Sequence, residues 1–167
     1  GKRSKEVMDI LNRCTALVEQ LSIDEAFLDV TDNCQNFRQM IYEVQDTIHR
    51  VTGLPCSLGG ASNKLVAKIA TNVGKLSIKT ESYPNAIQIV PAGKEAEFLA
   101  PLPARMLWGI GEKTYQTLEK LGLYTIGAIA TWPEQDLVNR FGHTGHILSN
   151  HARGIDDSPV TPQRTVK

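Results

Sequence analysis

The chain has 167 residues, 41% of them hydrophobic and 22% charged, with 18 Lys+Arg balanced by 18 Asp+Glu. That is enough for one good apolar core or two small ones, and a zero net charge removes any global electrostatic argument for binding nucleic acid or a membrane surface. No apolar run is long enough to cross a bilayer and no signal peptide is visible, while Cys14, Cys34 and Cys56 are widely spaced with no CxxC pair, as expected of a reduced, intracellular protein.

In chain order, Val7, Ile10, Leu11, Cys14, Leu17 and Val18 recur at helical spacing and predict an amphipathic helix over residues 4–20. A strand pair follows between Leu21 and Val30, interrupted by Asp24 and Glu25. The apolar phase slips across these acids: Leu21 and Ile23 share one parity, Leu28 and Val30 the other, as a hairpin tip or bulge would produce. Adjacent carboxylates in an apolar segment need a cation or water to compensate them. On this pattern alone, a solvated tip and a charge-handling site both remain open.

Phe37, Met40, Ile41, Val44 and Ile48 predict a second helix over residues 37–51, ended by Gly53 and Pro55. Residues 55–61 form a short strand closing in Gly59-Gly60. Ser62 is the N-cap candidate for a helix over 63–73 that stops at Gly74. Its apolar stripe is Leu65, Val66, Ile69, Ala70 and Val73, with Lys64, Lys68 and Lys75 on the other side. Residues 62–80 hold four lysines, Lys79 being the fourth, and no acid. This is either a local field that attracts phosphates or simply a solvated helix face. A loop over 75–85 and a strand over 86–90 complete an α+β layer with helices packed on a small mixed or antiparallel sheet.

Pro91-Ala92-Gly93 marks a boundary. Short helices punctuated by Gly and Pro predict a small all-helical domain over residues 93–155. Residues 156–167, with Pro159 and Pro162 among polar residues, read as a linker. In the helical part, Trp108-Gly-Ile-Gly111 precedes Glu112-Lys-Thr-Tyr-Gln-Thr-Leu-Glu-Lys-Leu-Gly122. Gly109 and Gly111 allow a tight turn and a close ligand approach, and Ile110 plugs the turn into its own core. The amides opening the next helix make an anion site, to which Lys113 and Thr114 add a charge and a hydroxyl. Such a site suits nucleic-acid backbone phosphates without reading bases. A looser echo at residues 125–142, with Thr131-Trp-Pro133 between two helical pieces, gives a pair of helix-hairpin-helix units. The plainer alternative is a tight glycine turn between packed helices. His143, His146 and His151 lack a Cys or acid to complete a metal set, and Trp108 and Trp132 read as core anchors.

Together these segments resemble the Y-family translesion DNA polymerases, in the DNA polymerase IV branch. Ser-Ile-Asp-Glu-Ala-Phe-Leu-Asp-Val at residues 22–30 is similar to that family's second catalytic motif. Ala61–Ala70 is similar to its palm helix, Leu107–Thr114 to its thumb hairpin, and Arg164-Thr-Val-Lys167 to the entry of its little-finger domain. The resemblance implies a partial palm over residues 1–92, a thumb over 93–155 and a linker over 156–167. It implies Asp24 and Glu25 as catalytic metal ligands in a two-Mg²⁺ nucleotidyl-transfer site. Mg²⁺ is typically held by one or two carboxylates plus substrate phosphates, and two such ions activate the primer 3′-hydroxyl and stabilise the leaving pyrophosphate.

Lys75, with Lys68 as a lesser candidate, would contact the incoming nucleotide's triphosphate; Gly109, Ile110, Gly111, Lys113 and Thr114 would grip the DNA backbone. Asp29 and Asp32 would cap or solvate the strand end. The implied partners are primer-template DNA, deoxynucleoside triphosphates and, for a full-length protein, a sliding clamp; no membrane is involved, and the implied location is cytoplasmic, at the nucleoid. Two departures stand out. Lys75 is followed by Leu76-Ser-Ile rather than Pro and a short Gly turn, so Lys79 could substitute. The family's first catalytic Asp has no counterpart here, so this piece of a polymerase is expected to be inactive alone. The competing readings are a non-catalytic helix-hairpin-helix DNA-binding module and an inactive polymerase relative in DNA repair.

Overall fold

A computed structural model describes residues 2–32, 36–77 and 86–162. Helix α1 (Lys2–Cys14) leads into an antiparallel hairpin of β1 (Val18–Ser22) and β2 (Glu25–Leu28). Helix α2 (Phe37–Thr52) packs on α1, then β3 (Leu58–Gly60), α3 (Lys64–Ser77) and β4 (Ile87–Ile89) form a parallel strand–helix–strand unit. The remainder is helical: α4 (Glu95–Leu99), a 3₁₀ turn (Ala104–Met106), α5 (Glu112–Lys120), α6 (Ile126–Thr131), α7 (Glu134–Phe141) and α8 (His143–Ala152). Among the described residues the strands make two separate two-stranded ladders, one antiparallel and one parallel. The class is α+β.

The first helix ends earlier than its periodicity suggests. Leu17 lies outside it and Val18 opens β1. The buried Thr15 diverts the chain: its hydroxyl donates to the Asp29 carbonyl at 2.8 Å and accepts from the Leu17 amide at 3.1 Å. A short hydroxyl side chain thereby offers the backbone an alternative to another helical turn, and Leu17 and Val18 gain a strand partner.

The third helix also differs. Asn63, not Ser62, caps it: Asn63 Oδ1 accepts from the Val66 amide at 2.9 Å, while the Ser62 hydroxyl donates to Glu95 at 2.6 Å. Nor does Gly74 stop the helix, which continues to Ser77. A Cβ at Gly74 would stand 3.1 Å from the Ala86 Cβ, so this glycine lets β4 approach the helix closely. Lys79 and most of the expected loop lie outside the described residues, as does the segment 164–167.

Two apolar clusters form. The smaller joins Ile10, Leu11, Val18, Val44 and Ile48. In the larger, the inner face of α3 (Leu65, Val66, Ile69 and Ala70) packs with Leu99, Leu107, Leu118, Ile126, Ile129, Leu137 and Leu148 of the helical region. Secondary structure changes character near residues 91–93, yet the main core runs across that point.

Candidate functional site

The phase slip around Asp24 and Glu25 has a geometric cause. Gln20 pairs with Ala26 and Ser22 with Glu25, so Leu21 is the extra residue of a bulge and the next side chains are re-aimed. Ile23 and Asp24 form the turn, with Ile23 74% exposed, and the Ser4 hydroxyl ties the tip to α1 by donating to the Ile23 carbonyl at 3.0 Å.

Both acids are thus presented together at the end of a pinned hairpin. The Ser22 hydroxyl donates to Asp24 Oδ1 at 2.8 Å and stands 3.4 Å from Glu25 Oε2. Glu25 Oε1 is ion-paired with Lys68 on α3. The compensating cation that the sequence argument demanded is therefore internal for Glu25, while Asp24 is exposed.

Lys64, one turn before Lys68, reaches both oxygens of Glu19 on β1 at 2.9 Å and sits 5.0 Å over the Phe27 ring. Two lysine–glutamate rungs therefore join α3 to the hairpin about 6 Å apart along the helix. Lys75 lies seven residues beyond Lys68, on nearly the same side of α3, and is exposed. Its charge acts on Cys56, whose thiol is raised by burial and pulled partly back by Lys75. Of the two lysines expected at a triphosphate, one is engaged with Glu25 and the other faces solvent at the helix end.

Asp29 turns away from this group. It accepts from the Thr31 hydroxyl and amide, which hold its carboxyl below the usual range. The hard oxygens of Asp24 and Glu25 beside a hydroxyl are the donor type Mg²⁺ takes. Among the described residues, no group of three or more His, Cys, Asp or Glu comes together to hold a metal.

The glycine hairpin is the second constellation. Gly109 has φ +91°, a left-handed conformation that disfavours side chains, and a Cβ at either Gly109 or Gly111 would meet nothing within 4 Å, so the space above the turn is open. Ile110 is half-buried against the main core, as its plug role requires. Helix α5 starts at Glu112, and its first intrahelical bond runs from the Tyr115 amide to the Gly111 carbonyl at 3.0 Å. The earlier amides have no helical partner and point outward with the positive end of the dipole. Lys113 is exposed and Thr114 half-buried on that turn.

The element before this hairpin is only a 3₁₀ turn. It is fixed by the buried Ala104, whose amide donates to the Tyr124 carbonyl at 2.8 Å. Arg105 on it lies 4.1 Å over the Tyr115 ring and 3.3 Å from Glu112. In the second unit, Thr125 caps α6 and Trp132-Pro133 separates α6 from α7. Trp108 and Trp132 both pack against the core. The histidines differ from expectation in one respect: an acid is at hand, because Glu134 pairs with His146 Nδ1. This is an exposed side-chain contact, with the His143 ring 6.3 Å from that of His146.

Sequence reasoning missed Glu19 and Ser22, and placed Lys64 only on the lysine face of α3. Ser22 has a local signal, being two residues from Asp24; the Glu19–Lys64 pairing has none, since it spans 45 residues. It also missed the contact between Phe27 and Trp108, whose rings lie 5.7 Å apart and bring the acid-bearing hairpin against the glycine turn.

Comparison with known proteins places this arrangement. Residues 1–72 match the impB/mucB/samB family. The chain is 38% identical over 167 residues to a DNA polymerase IV of Desulfatibacillum aliphaticivorans, covering 98% of this chain and 40% of that protein. It is 34% identical to a DNA polymerase IV of Listeria innocua, covering 98% of this chain and 45% of the relative. Among solved structures, DinB from Sulfolobus solfataricus superposes with a TM-score of 0.79 at 26% identity, over 95% of this chain and 46% of that one. An insertion ternary complex of Dbh DNA polymerase gives 0.81 at the same identity, over 95% of this chain and 45% of that one. By these comparisons the chain is similar to DNA polymerase IV proteins and to the DinB and Dbh polymerases. Its relatives carry the name DNA polymerase IV, and it spans less than half of their length.

Proposed function

We propose that this chain is the acid-bearing palm segment and thumb of a template-directed translesion DNA polymerase, a DNA-directed nucleotidyltransferase that adds deoxynucleotides to a primer 3′-hydroxyl. Residues 1–92 are assigned to the palm, 93–155 to the thumb and 156–167 to the linker. The observation that carries the reading is the pinned hairpin tip, where Asp24 and Glu25 are bridged by the Ser22 hydroxyl and faced by Lys68. Mg²⁺ held by Asp24 and Glu25 would supply Lewis-acid stabilisation of the charge developing on phosphoryl oxygens.

The chain's own residues do the positioning. Ser22 orients Asp24, and Lys68 sets Glu25 against α3. Lys75 extends the positive side of that helix toward an incoming triphosphate. At the other end, the outward amides of α5 with Lys113 and Thr114 hold a backbone phosphate of primer-template DNA, with Gly109 and Gly111 giving it room and Ile110 anchoring the turn. This grip is sequence-independent, as a polymerase that must move along its template requires. The proposed setting is the cytoplasm, on nucleoid DNA.

The test is primer extension by the full-length protein. Asp24→Ala is expected to lower the rate by roughly 10²–10³-fold or more, the scale of losing a group that stabilises transition-state charge, with DNA affinity unchanged. Unaltered extension in both Asp24→Ala and Glu25→Gln would leave only a phosphate-gripping helical module.

A further inference from the structure

Residues 154–161, most of which fall in the stretch read from composition as a linker (156–167), run back across the α/β region. Asn63 Nδ2 donates to the Gly154 carbonyl at 2.8 Å, and the Leu65 amide donates to Asp156 Oδ2 at 3.2 Å. Lys64 Nζ donates to the Pro159 carbonyl at 3.3 Å, and the Thr161 amide donates to Glu19 Oε1 at 2.8 Å. These partners lie 91 to 142 residues apart in sequence. Lys64 and Glu19 are ion-paired at 2.9 Å with only 13% and 19% of their side chains exposed, so both charges are shielded from bulk water while they hold the segment. A short, mostly polar segment outside any helix or strand has no intrinsic reason to stay in one place. Hydrogen bonds to charged partners give it one, because they are stronger than neutral ones.

We propose that Glu19 and Lys64 form a latch that docks residues 154–161 onto the α/β region and fixes the point where the chain departs beside β1 rather than at the end of α8. The division of labour is explicit. Lys64 holds the carboxylate and the Pro159 carbonyl, and the carboxylate accepts from Thr161. Ser22 lies three residues beyond Glu19 on β1, and Lys68 one turn beyond Lys64 on α3. The latch is therefore the neighbouring rung to the Glu25–Lys68 pair, between the same helix and the other strand of the same hairpin. Whatever follows Thr161 is thereby tethered to the elements that present Asp24 and Glu25. The latch stands on these contacts alone and holds whether or not the hairpin acids bind a metal.

Amide hydrogen exchange by NMR on the isotope-labelled 167-residue chain reads the latch directly. The Thr161 amide is expected to exchange at least roughly tenfold more slowly than in an unstructured peptide, the scale of one hydrogen bond to a charged group. Glu19→Ala returns it to the unstructured rate while the Leu65 amide stays protected. Lys64→Met, which keeps the acceptor but removes the cation, gives an intermediate acceleration of roughly threefold. An unstructured exchange rate at Thr161 in the parent chain, or a rate unchanged by Glu19→Ala, overturns the latch. If Glu19→Ala also exposes the core amide of Leu148, the near-isosteric Glu19→Gln decides. Faster exchange at Thr161 with Leu148 still protected supports the latch, and a parental rate at Thr161 overturns it.

Discussion

In the α/β region, four of the five members of the small apolar cluster (Ile10, Leu11, Val18 and Val44) keep 6–8% of their surface in solvent, and Ile48 keeps 1%; in the helical region Leu99, Leu118, Ile126, Ile129 and Leu137 keep none. The α/β side also leaves Leu17, Leu21 and Ile23 exposed along and just beyond β1, and carries the charged rungs Glu19–Lys64 and Glu25–Lys68. The helical side is dry and closely packed, and offers ligands mainly backbone amides. In the function proposed above, the contrast would separate two ways of handling phosphate chemistry. One face presents side-chain charge on a pinned hairpin, where local opening is cheap; the other presents backbone dipoles on a rigid frame, where it is not. Helix α3 belongs to both, with its apolar face sealed in the main core and Lys64 and Lys68 turned to the acids.

The largest expected effect breaks that shared element. Ile69→Ala removes a side chain with no solvent exposure from the face where α3 meets the helical region and should cost about 2–5 kcal/mol. Denaturant unfolding should show the helical region and α3 lost in one transition; two separated transitions would refute a common core. Next, Gly109→Ala places a Cβ on a residue at φ +91° and should cost about 1–3 kcal/mol of strain. Because no atom lies within 4 Å of that Cβ, the loss must come from backbone conformation, so an equal loss at Gly111→Ala would contradict the explanation.

A smaller effect is expected from Lys68→Met, which strands Glu25 beside Asp24. The pair is partly exposed, so the stability change should not exceed about 1 kcal/mol in thermal unfolding. The gentlest probe is acid. The Thr161 amide, followed by Lys64, lowers the Glu19 pKa below its ordinary 4.5, and the Ser62 hydroxyl does the same at Glu95. A carboxylate with a depressed folded-state pKa contributes stability above its unfolded value and loses it as pH falls through the folded one. Protection of the Thr161 amide should therefore be constant above pH 5 and decline only below about 4.5, and Glu19→Gln should flatten that decline.

Much of this architecture was legible because it depends on neighbours in sequence. The stripe of Leu65, Val66, Ile69 and Ala70, the break in parity at Asp24 and Glu25, and the Gly-Ile-Gly turn each follow from local periodicity or backbone freedom, and the structure places all three accordingly. Where sequence reasoning failed locally, a competing hydrogen bond or a packing contact prevailed. Thr15 bonded to the Asp29 carbonyl, 14 residues away and just past β2, and ended α1, and Gly74 served the approach of Ala86 instead of stopping α3.

What the sequence determined by itself was chemical character: which segments are amphipathic, where two acids stand side by side, and which turn frees backbone amides. What only the tertiary structure decided was pairing. Glu25 with Lys68, Glu19 with Lys64 and Thr161, and Phe27 against Trp108 join residues between 43 and 142 positions apart. The reason is physical. Periodicity encodes which face of an element turns inward, whereas the partner of a charge on its outer face is set by which other element the packed core happens to bring within reach.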